Sequence, residues 1–296
     1  MSPEASGVEP APPVGILGAT SFVGGALLPR LVAAGWRPIT VSRGTPAVHP
    51  GASHADFGPG PGPSPSPIAH WIALCPIWVL PEHGARLEAA GAKRVVALSS
   101  TSLFTKRASS DASERRTASA LAAAERVVLD WAARSGIAVT ILRPTLIYDG
   151  LHDRNIAMIA GWIRRWGFFP VVGAARGLRQ PVHVDDVAAA CIAALTAASA
   201  GAAYDLSGGE ALPYRRMVER VFEALGRPAR IVSLPGWLVR LAVPLLRALP
   251  RYRHVTTAMF DRMDDDLVFD HAGAVRDLGF SPRPFVLPSA PPAAHP

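Results

Sequence analysis

The stretch VGILGATSFVG, residues 14–24, decides the fold of this chain. Its first four residues predict a short buried strand, and Gly18 and Gly24 flank the tight turn that follows. After the turn, apolar residues recur at the spacing of one helix face, at Val23, Leu27, Leu28 and Leu31. This order of strand, glycine turn and helix suits a dinucleotide phosphate, because a helix N-terminus offers backbone N–H groups and a positive dipole end. The alternative is an ordinary strand-to-helix turn without a ligand.

The two glycines have separate roles in this interpretation. Gly18 adopts backbone angles that are closed to other residues, and Gly24 lets the helix pack closely on the strand. The residues predicted to contact the cofactor in this turn are Gly18, Thr20, Ser21, Phe22, Val23 and Gly24.

The run GATSFVG, residues 18–24, resembles the GATGFIG signature of the extended and atypical short-chain dehydrogenase/reductases, the epimerase/dehydratase-like group. Ser21 stands where that family usually has its middle glycine, and we expect a serine to fit there at negative φ. Three further stretches resemble family motifs, namely RPTLIY at 143–148, RQPVHVDD at 179–186 and LGFSPR at 278–283. The resemblance implies an α/β fold with a doubly wound parallel sheet (Rossmann fold) and a smaller C-terminal substrate lobe. The alternation of strands and helices independently predicts the same sheet.

The resemblance covers most of residues 14–285 and gives a division of the chain. Two terminal segments are expected to be disordered, and the rest is divided between an NAD(P)-binding Rossmann domain and the substrate lobe. We place the termini at 1–13 and 288–296, the Rossmann domain at 14–145 and 178–206, and the lobe at 146–177 and 207–287.

The cofactor is predicted from the residue after the second strand. Arg43 occupies the position that meets the adenosine ribose in a dinucleotide fold. An arginine there suits a 2′-phosphate, whereas an acidic residue would accept a hydrogen bond from a 2′-hydroxyl. We therefore predict NADP, with NAD less favoured; a solvated loop arginine is the alternative. The remaining predicted cofactor contacts are Asp56, Phe57, Leu74, Cys75, Ser99 and Pro144.

The resemblance also implies a catalytic Tyr-x-x-x-Lys pair, which this chain lacks. It contains two lysines, Lys93 and Lys106, and neither follows a tyrosine at that spacing. Glu125 fits a glutamate that family members often carry beyond the lysine, which puts Thr117 and Leu121 at the tyrosine and lysine positions. Neither can transfer the proton. Two hypotheses follow: an enzyme with an atypical active site, or a non-catalytic NADP(H)-binding sensor or accessory protein.

Three residues are the candidate catalytic groups. Thr101 lies in the Ser-Ser-Thr-Ser run after the fifth strand, where the resemblance places a hydroxyl that contacts substrate. Lys106 follows closely, and Tyr148 ends the RPTLIY motif. The competing interpretations are a serine-rich helix cap for the run, an exposed loop lysine and a structural tyrosine.

Asn155, Arg179 and Arg283 are the predicted substrate-binding residues. In the resembled family an arginine at the position of Arg179 often holds a substrate diphosphate, so we expect a small-molecule substrate of that kind, a sugar nucleotide or a lipid-linked sugar, transformed by hydride transfer. Asp185 and Asp186 precede an alanine-rich helix and are predicted to cap it rather than to hold a metal. We expect no metal site.

Composition limits the remaining function classes. The net charge is +7, but no dense basic run occurs, so we expect no nucleic-acid partner. Cys75 and Cys191 lie far apart in apolar settings and no signal-peptide pattern is present, which predicts a reduced, cytoplasmic protein. Residues 236–249 combine an apolar face with two arginines, and pack into the lobe or lie on a membrane surface.

Overall fold

Seven strands form one parallel sheet in the computed structural model, which describes residues 11–42, 49–56, 67–150, 152–198, 203–247 and 257–288. These strands are β1 (Pro13–Leu17), β2 (Arg37–Ser42), β3 (Ser53–Asp56), β4 (His70–Ala73), β5 (Arg94–Leu98), β6 (Ala138–Pro144) and β11 (Ala203–Leu206). Their order is β11-β6-β5-β4-β1-β2-β3, so the strand order reverses between β1 and β4. Ligands of open parallel sheets bind outside the carboxyl ends of the strands at this reversal. The predicted doubly wound Rossmann fold is confirmed.

Helices cover both faces of the sheet. On one face, α1 (Phe22–Ala33) packs beside α6 (Val184–Thr196) and α10 (Ala272–Leu278). The other face is covered by α2 (Gly84–Ala89), α4 (Ala112–Ser135) and a 3₁₀ helix at Ile77–His83. The sheet strands are apolar on both sides, as expected for a parallel sheet buried between two helix layers.

The remaining elements surround a third core. They are α3 (Ser102–Thr105), β7 (Ile147–Tyr148), α5 (Ile156–Trp166), β8 (Phe169–Val172), β9 (Leu178–Arg179), β10 (Val182–His183), β12 (Leu212–Pro213), α7 (Tyr214–Ala224), β13 (Ile231–Leu234), α8 (Gly236–Arg247), α9 (Thr257–Asp261) and a 3₁₀ helix at Arg262–Asp264. This core contains buried side chains from α5 and α7 together with Tyr148 and Phe285. β13 pairs in parallel with β8 and places α8 directly after the pair.

The N-terminus of α6 differs from the prediction. His183 is its N-cap, and the His183 Nδ1 accepts a hydrogen bond from the Asp185 N–H at 3.2 Å. Asp185 and Asp186 are therefore not the cap; they lie in the first turn, where carboxylates interact favourably with the positive end of the helix dipole. Their side chains are bound by arginines instead, Asp185 by Arg30 at 2.7 Å and Asp186 by Arg283 at 2.8 Å.

Candidate functional site

The turn after β1 leaves no room for a side chain at its first glycine. Gly18 has a φ of +79°, and a Cβ there would lie 2.7 Å from the backbone nitrogen of Cys75. The two strands are joined at this point, since the Leu74 N–H donates to the Leu17 carbonyl at 2.8 Å. Glycine is therefore required at position 18 by both the backbone angle and the neighbouring strand.

The second glycine brings the helix onto the turn. A Cβ at Gly24 would lie 2.1 Å from the Ala19 carbonyl oxygen. Ser21 is the N-cap of α1, with φ −69° and ψ 163°, and its Oγ accepts from the Gly24 N–H at 3.2 Å. The serine fits at negative φ because extended backbone is open to any residue.

The same geometry provides donors for an anion. The Ser21 N–H closes the turn on the Gly18 carbonyl at 3.0 Å, and the Ser21 side chain satisfies Gly24. Phe22 and Val23 are the first two residues of α1, so their N–H groups have no carbonyl one turn earlier in the helix. A close-packed glycine turn with two helix N-terminal donors fits the diphosphate of a nicotinamide dinucleotide. Thr20 is exposed beside these donors.

The predicted adenosine end is only partly described. Asp56 is the last residue of β3, whereas Arg43 and Phe57 lie outside the described residues. Leu74 is buried directly after β4, and Cys75, which follows it, is partly exposed.

A charged network joins the carboxyl ends of β5, β6 and β11. The Ser99 hydroxyl donates to a carboxylate oxygen of Glu125 at 2.5 Å, and Arg143 binds the other oxygen through Nη2 at 2.5 Å. Arg143 also faces Asp205, with 3.7 Å between Nη1 and Oδ1. Burial raises the pKa of Asp205. Ser99 was predicted to contact the cofactor, but its hydroxyl is hydrogen-bonded to Glu125. The spacing in the family motif singled out Glu125 and did not predict that Ser99 and Arg143 bind it.

Thr101 and Pro144 lie together at the ends of β5 and β6. The Thr101 N–H and hydroxyl both approach the Pro144 carbonyl, at 3.2 and 3.3 Å. Thr101 is buried and its hydroxyl can still accept a hydrogen bond, because it donates its proton to this carbonyl. The structure thus brings one predicted catalytic residue next to a predicted cofactor contact.

Lys106 lies on the segment between β5 and α4. Its Nζ is 4.0 Å from Oε1 of Glu114, and 31% of its side chain is exposed. Burial alone would raise the pKa of Glu114, but hydrogen bonds from Arg262 and Ser109 outweigh it and hold that pKa below its usual value. Glu114 therefore serves as a fixed negative charge beside Lys106.

Tyr148 does not face an accessible site. Its ring is fully buried against Phe285 and His183, its hydroxyl donates to the Pro284 carbonyl at 3.3 Å, and it accepts from the Val286 N–H at 3.2 Å. Burial raises the pKa of the phenol. These contacts fix residues 284–286 to β7 and engage the hydroxyl within the protein, whereas the role of Tyr148 in proton transfer stays a prediction.

Arg179 is likewise committed to the protein itself. Its guanidinium donates to the carbonyls of Leu178 and Asp265, at 2.8 and 2.7 Å, and to that of Arg262 at 2.5 Å, and it lies 5.3 Å from the ring centroid of Tyr214. Burial lowers the pKa of Arg179. The guanidinium is thus bound to backbone carbonyls, and its binding of a substrate diphosphate stays a prediction.

The other two predicted substrate contacts are closer to the surface. Arg283 is half-exposed and is bound to Asp186, with 2.9 Å between Nε and Oδ1. Asn155 is exposed at the start of α5. Asp153 caps that helix in its place, with Oδ1 accepting from the Asn155 and Ile156 N–H groups at 2.9 and 2.5 Å.

Comparisons with known proteins agree with this geometry. Residues 84–207 match the model of the NAD dependent epimerase/dehydratase family, which confirms the resemblance seen in the sequence. An uncharacterized protein of Sinorhizobium fredii, y4nG, is 30% identical over 152 residues, which cover 51% of this chain and 37% of that protein. The mitochondrial NADH dehydrogenase [ubiquinone] 1 alpha subcomplex subunit 9 of Arabidopsis thaliana is 34% identical over 118 residues, 39% of this chain and 28% of that protein. The match thus spans 37% of the length of the first relative and 28% of that of the second.

Solved structures share the fold over nearly the whole chain. MoeE5 in complex with UDP-glucuronic acid and NAD superposes with a TM-score of 0.67 at 19% identity, covering 92% of this chain and 94% of that one. UDP-glucuronic acid 4-epimerase from Bacillus cereus, in complex with NAD, gives a TM-score of 0.67 at 13% identity, covering 91% and 93%. In the described part of this chain, no helix combines the length and apolar character that a bilayer crossing requires.

Proposed function

Because residues 84–207 match the NAD dependent epimerase/dehydratase family, we propose that this protein is an NADP-dependent enzyme acting on a sugar nucleotide or lipid-linked sugar by hydride transfer. The observation that carries the proposal is the turn at residues 18–24, built for close approach of a diphosphate at the reversal of strand order. Neighbours of the same fold that hold UDP-sugars and NAD support the substrate class. Cys75 and Cys191 are both thiols, which supports a cytoplasmic location.

The residues divide the work as follows. The cofactor, when bound, supplies or accepts a hydride at its nicotinamide ring. Phe22 and Val23 bind the diphosphate through their N–H groups, and Arg43 binds the 2′-phosphate that distinguishes NADP from NAD. Thr101, whose hydroxyl proton is already donated to Pro144, orients the reacting oxygen of the substrate.

Lys106 takes the place of the missing dyad. It follows α3 five residues after Thr101, its Nζ lies 4.0 Å from Oε1 of Glu114, and 31% of its side chain is exposed to solvent. A lysine ammonium can donate a proton to, or electrostatically stabilise, an oxygen that gains negative charge. We assign this role to Lys106, with Glu114 as the group that positions it.

Cofactor binding is tested by fluorescence titration of the protein with NADPH and with NADH. We expect tighter binding of NADPH and a loss of that preference in Arg43→Ala. Arg37→Ala is the matched control, because Arg37 is an exposed arginine at the opposite end of β2. Equal affinity of the wild-type protein for the two cofactors would contradict the proposed NADP specificity. Failure to bind either cofactor would contradict the proposal that the protein is a nicotinamide-dependent enzyme.

Catalysis is tested separately with UDP-glucose and UDP-glucuronic acid, by following nicotinamide absorbance and the sugar products. Lys106→Ala should abolish turnover and leave NADPH binding intact, whereas Lys93→Ala, which changes the other lysine of the chain, should have no effect on either. Undiminished turnover in Lys106→Ala would remove this residue from the mechanism.

A non-catalytic NADP(H)-binding or accessory protein is the second candidate, and the absent Tyr-x-x-x-Lys pair favours it. One relative of this chain carries the name of a subunit of NADH dehydrogenase rather than that of an epimerase. Tight NADPH binding without turnover of any nucleotide sugar tested would support this candidate over the enzyme.

A further inference from the structure

Helix α8 presents apolar side chains on two opposite sides. Val239 and Val243, four residues apart, are buried against the protein. Trp237 and Leu241, also four residues apart, are 65% and 64% exposed, and Leu238 between them is 38% exposed. Since residues four apart lie above one another on a helix, one side of α8 packs on the lobe and the other presents a tryptophan and leucines to solvent.

This pattern is unusual for a helix on the surface of a protein in water, whose outer side is normally charged or polar. It is typical of helices that lie in a membrane interface, with Trp and Leu on one side and basic residues nearby. α8 contains 12 residues, about 18 Å of helix, which is too short to cross a hydrocarbon core of about 30 Å. Insertion would therefore be shallow and parallel to the surface.

The segment that contains α8 is rich in arginine and is bordered by Glu223 of α7 and Asp261 of α9. Residues 224–260 contain six arginines and neither aspartate nor glutamate, in a chain whose whole net charge is +7. Arg240 and Arg247 belong to α8, and Arg251 and Arg253 follow it in the sequence. A segment of this composition is attracted to a surface that carries negative charge.

A cleft next to the N-terminal end of α8 adds further positive charge. It has a volume of about 530 Å³ and is lined by Arg176, Arg215 and Arg216, with Ser233 and a single carboxylate, Glu219. Arg215 Nη1 lies 3.5 Å from the Ser233 hydroxyl. Ser233 is three residues before Gly236, so the cleft is within about 10 Å of the start of α8 along the chain.

The cleft has an excess of arginine over carboxylate. Glu219 approaches both Arg215 and Arg216, at 3.7 and 3.3 Å, and cannot neutralise the three guanidinium groups by itself. Arg216 has a second carboxylate, Glu223 at 2.6 Å, and Asp264 Oδ1 accepts from the backbone N–H of the exposed Arg176 at 3.0 Å. The guanidinium groups of arginines such as Arg176 and Arg215 bind phosphate oxygens well.

We propose that the exposed side of α8 and the adjoining arginine cleft form one surface that binds an anionic lipid bilayer. Trp237, Leu238 and Leu241 enter the headgroup region, while Arg176 and Arg215 bind lipid phosphates beside them. The surface lies on the lobe and uses none of the residues assigned above to cofactor or substrate, so this proposal stands or falls independently of the proposed function.

The test is flotation of the full-length protein with vesicles of phosphatidylcholine alone and of phosphatidylcholine mixed with phosphatidylglycerol. We expect binding to the mixed vesicles only. Trp237→Ala combined with Leu241→Ala should weaken it at least about tenfold, because two large apolar side chains no longer leave water. Arg176→Gln should weaken it about fivefold and reduce its dependence on salt.

Two controls keep the result specific. Trp78→Ala removes another exposed tryptophan, in the 3₁₀ helix after β4, and Arg134→Gln removes an exposed arginine near the end of α4. Neither should change vesicle binding. All four variants should keep the wild-type unfolding temperature, since the altered side chains are exposed.

Three outcomes would overturn the proposal. They are absence of binding to the mixed vesicles, equal binding to neutral vesicles, and binding that the α8 variant leaves unchanged. Self-association of the protein that the α8 variant abolishes, without vesicle binding, would assign the exposed side to a second copy of the chain and would likewise overturn it.

Discussion

Substitution of one glycine in α1 tests the cofactor turn directly. In Gly24→Ala the added Cβ would lie 2.1 Å from the Ala19 carbonyl oxygen and 2.7 Å from the Ala19 carbonyl carbon. Carbon contacts are optimal at about 3.5–4.0 Å, and both of these neighbours are backbone atoms that cannot rotate away. The start of α1 must therefore move off the turn.

The expected cost follows from overpacking. Such insertions destabilise a packed core by about 1–3 kcal/mol. Gly25→Ala is the matched control, because it changes the next residue of the same helix and its Cβ would meet nothing within 4 Å. Alanine is favoured over glycine in a helix interior by about 1 kcal/mol, so Gly25→Ala should be slightly stabilising. Because both substitutions replace glycine by alanine in the same helix, this gain cancels, and the two variants should differ by about 1–3 kcal/mol in the free energy of unfolding, which is about 2–12 °C in Tm.

The cofactor should report the same displacement. The N–H groups of Phe22 and Val23 move with the start of α1, and a hydrogen bond to a charged group is worth about 1.5–3 kcal/mol. We expect NADPH affinity to fall at least about tenfold in Gly24→Ala and to stay at the wild-type value in Gly25→Ala. Thermal unfolding and fluorescence titration of both variants measure the two effects. If Gly24→Ala matched Gly25→Ala in Tm and in NADPH affinity, the assignment of the turn as a close-packed phosphate site would be refuted.

Three further predictions concern side chains outside the turn. Glu114→Gln should lower the free energy of unfolding by about 3–5 kcal/mol, because it leaves the Arg262 charge without its buried partner. Since the folded pKa of Glu114 lies below the usual value of 4.5, this contribution is complete above about pH 4.5 and is lost as pH falls through the folded pKa. In urea unfolding, the difference between variant and wild type should therefore shrink in acid. Tyr148→Phe should lower stability by about 1–3 kcal/mol, because the Val286 N–H loses its acceptor, and should leave turnover unchanged; turnover lost at unchanged stability would support Tyr148 as a proton-transfer group. Cys75 should be alkylated by iodoacetamide more slowly when NADPH is present, because its backbone lies against Gly18 of the cofactor turn. Cys191 should react only on unfolding, since burial raises the pKa of its thiol to about 12. Mass spectrometry of both thiols, with and without cofactor, measures these reactions.

The turn at residues 18–24 could be predicted because most of the features that shape it are local, the approach of Leu74 and Cys75 to Gly18 being the exception. The positive φ of Gly18, the cap made by Ser21 and the contact of Gly24 with Ala19 all lie within seven residues of sequence. The apolar character of β1 and of one side of α1 then fixes how strand and helix pack. Local sequence therefore carried enough information for the part of the site that we propose to bind phosphate.

The roles of Tyr148 and Arg179 could not be predicted in the same way, because their partners are distant in sequence. Tyr148 bonds to Pro284 and Val286, and Arg179 to the backbone of residues 262 and 265. A family motif states which residue type occurs at a position, but not whether the rest of the chain folds over it. Both side chains are anchored by residues between 262 and 286.

The cap of α6 shows a smaller failure of the same kind. Aspartates are preferred N-caps, and Asp185 and Asp186 are adjacent, so the sequence favoured them. The N-cap is His183, two residues before Asp185, and the two carboxylates are paired with Arg30 and Arg283 instead. The adjacent aspartates correctly indicated where the helix begins. They did not reveal that arginine side chains, rather than backbone N–H groups, bind the two carboxylates.

Residues 262–269 also contact the neighbours of the two remaining catalytic candidates, Thr101 and Lys106. Arg262 binds Glu114 in the first turn of α4, and the ring of Phe269 lies 6.0 Å from that of Phe104, which belongs to the stretch 101–106 that contains both candidates. Catalytic groups act only when held to within about 0.5 Å of a productive position, and this stretch has no long helix of its own to hold them. A protein that merely retains a cofactor needs rigidity at the phosphate turn and none here. Glu114 anchors Lys106, and Arg262 anchors Glu114, which favours an enzyme over a protein that only binds the cofactor. Two variants together decide between these functions. Lys106→Ala should lose turnover at wild-type stability, and Glu114→Gln should lose both turnover and stability.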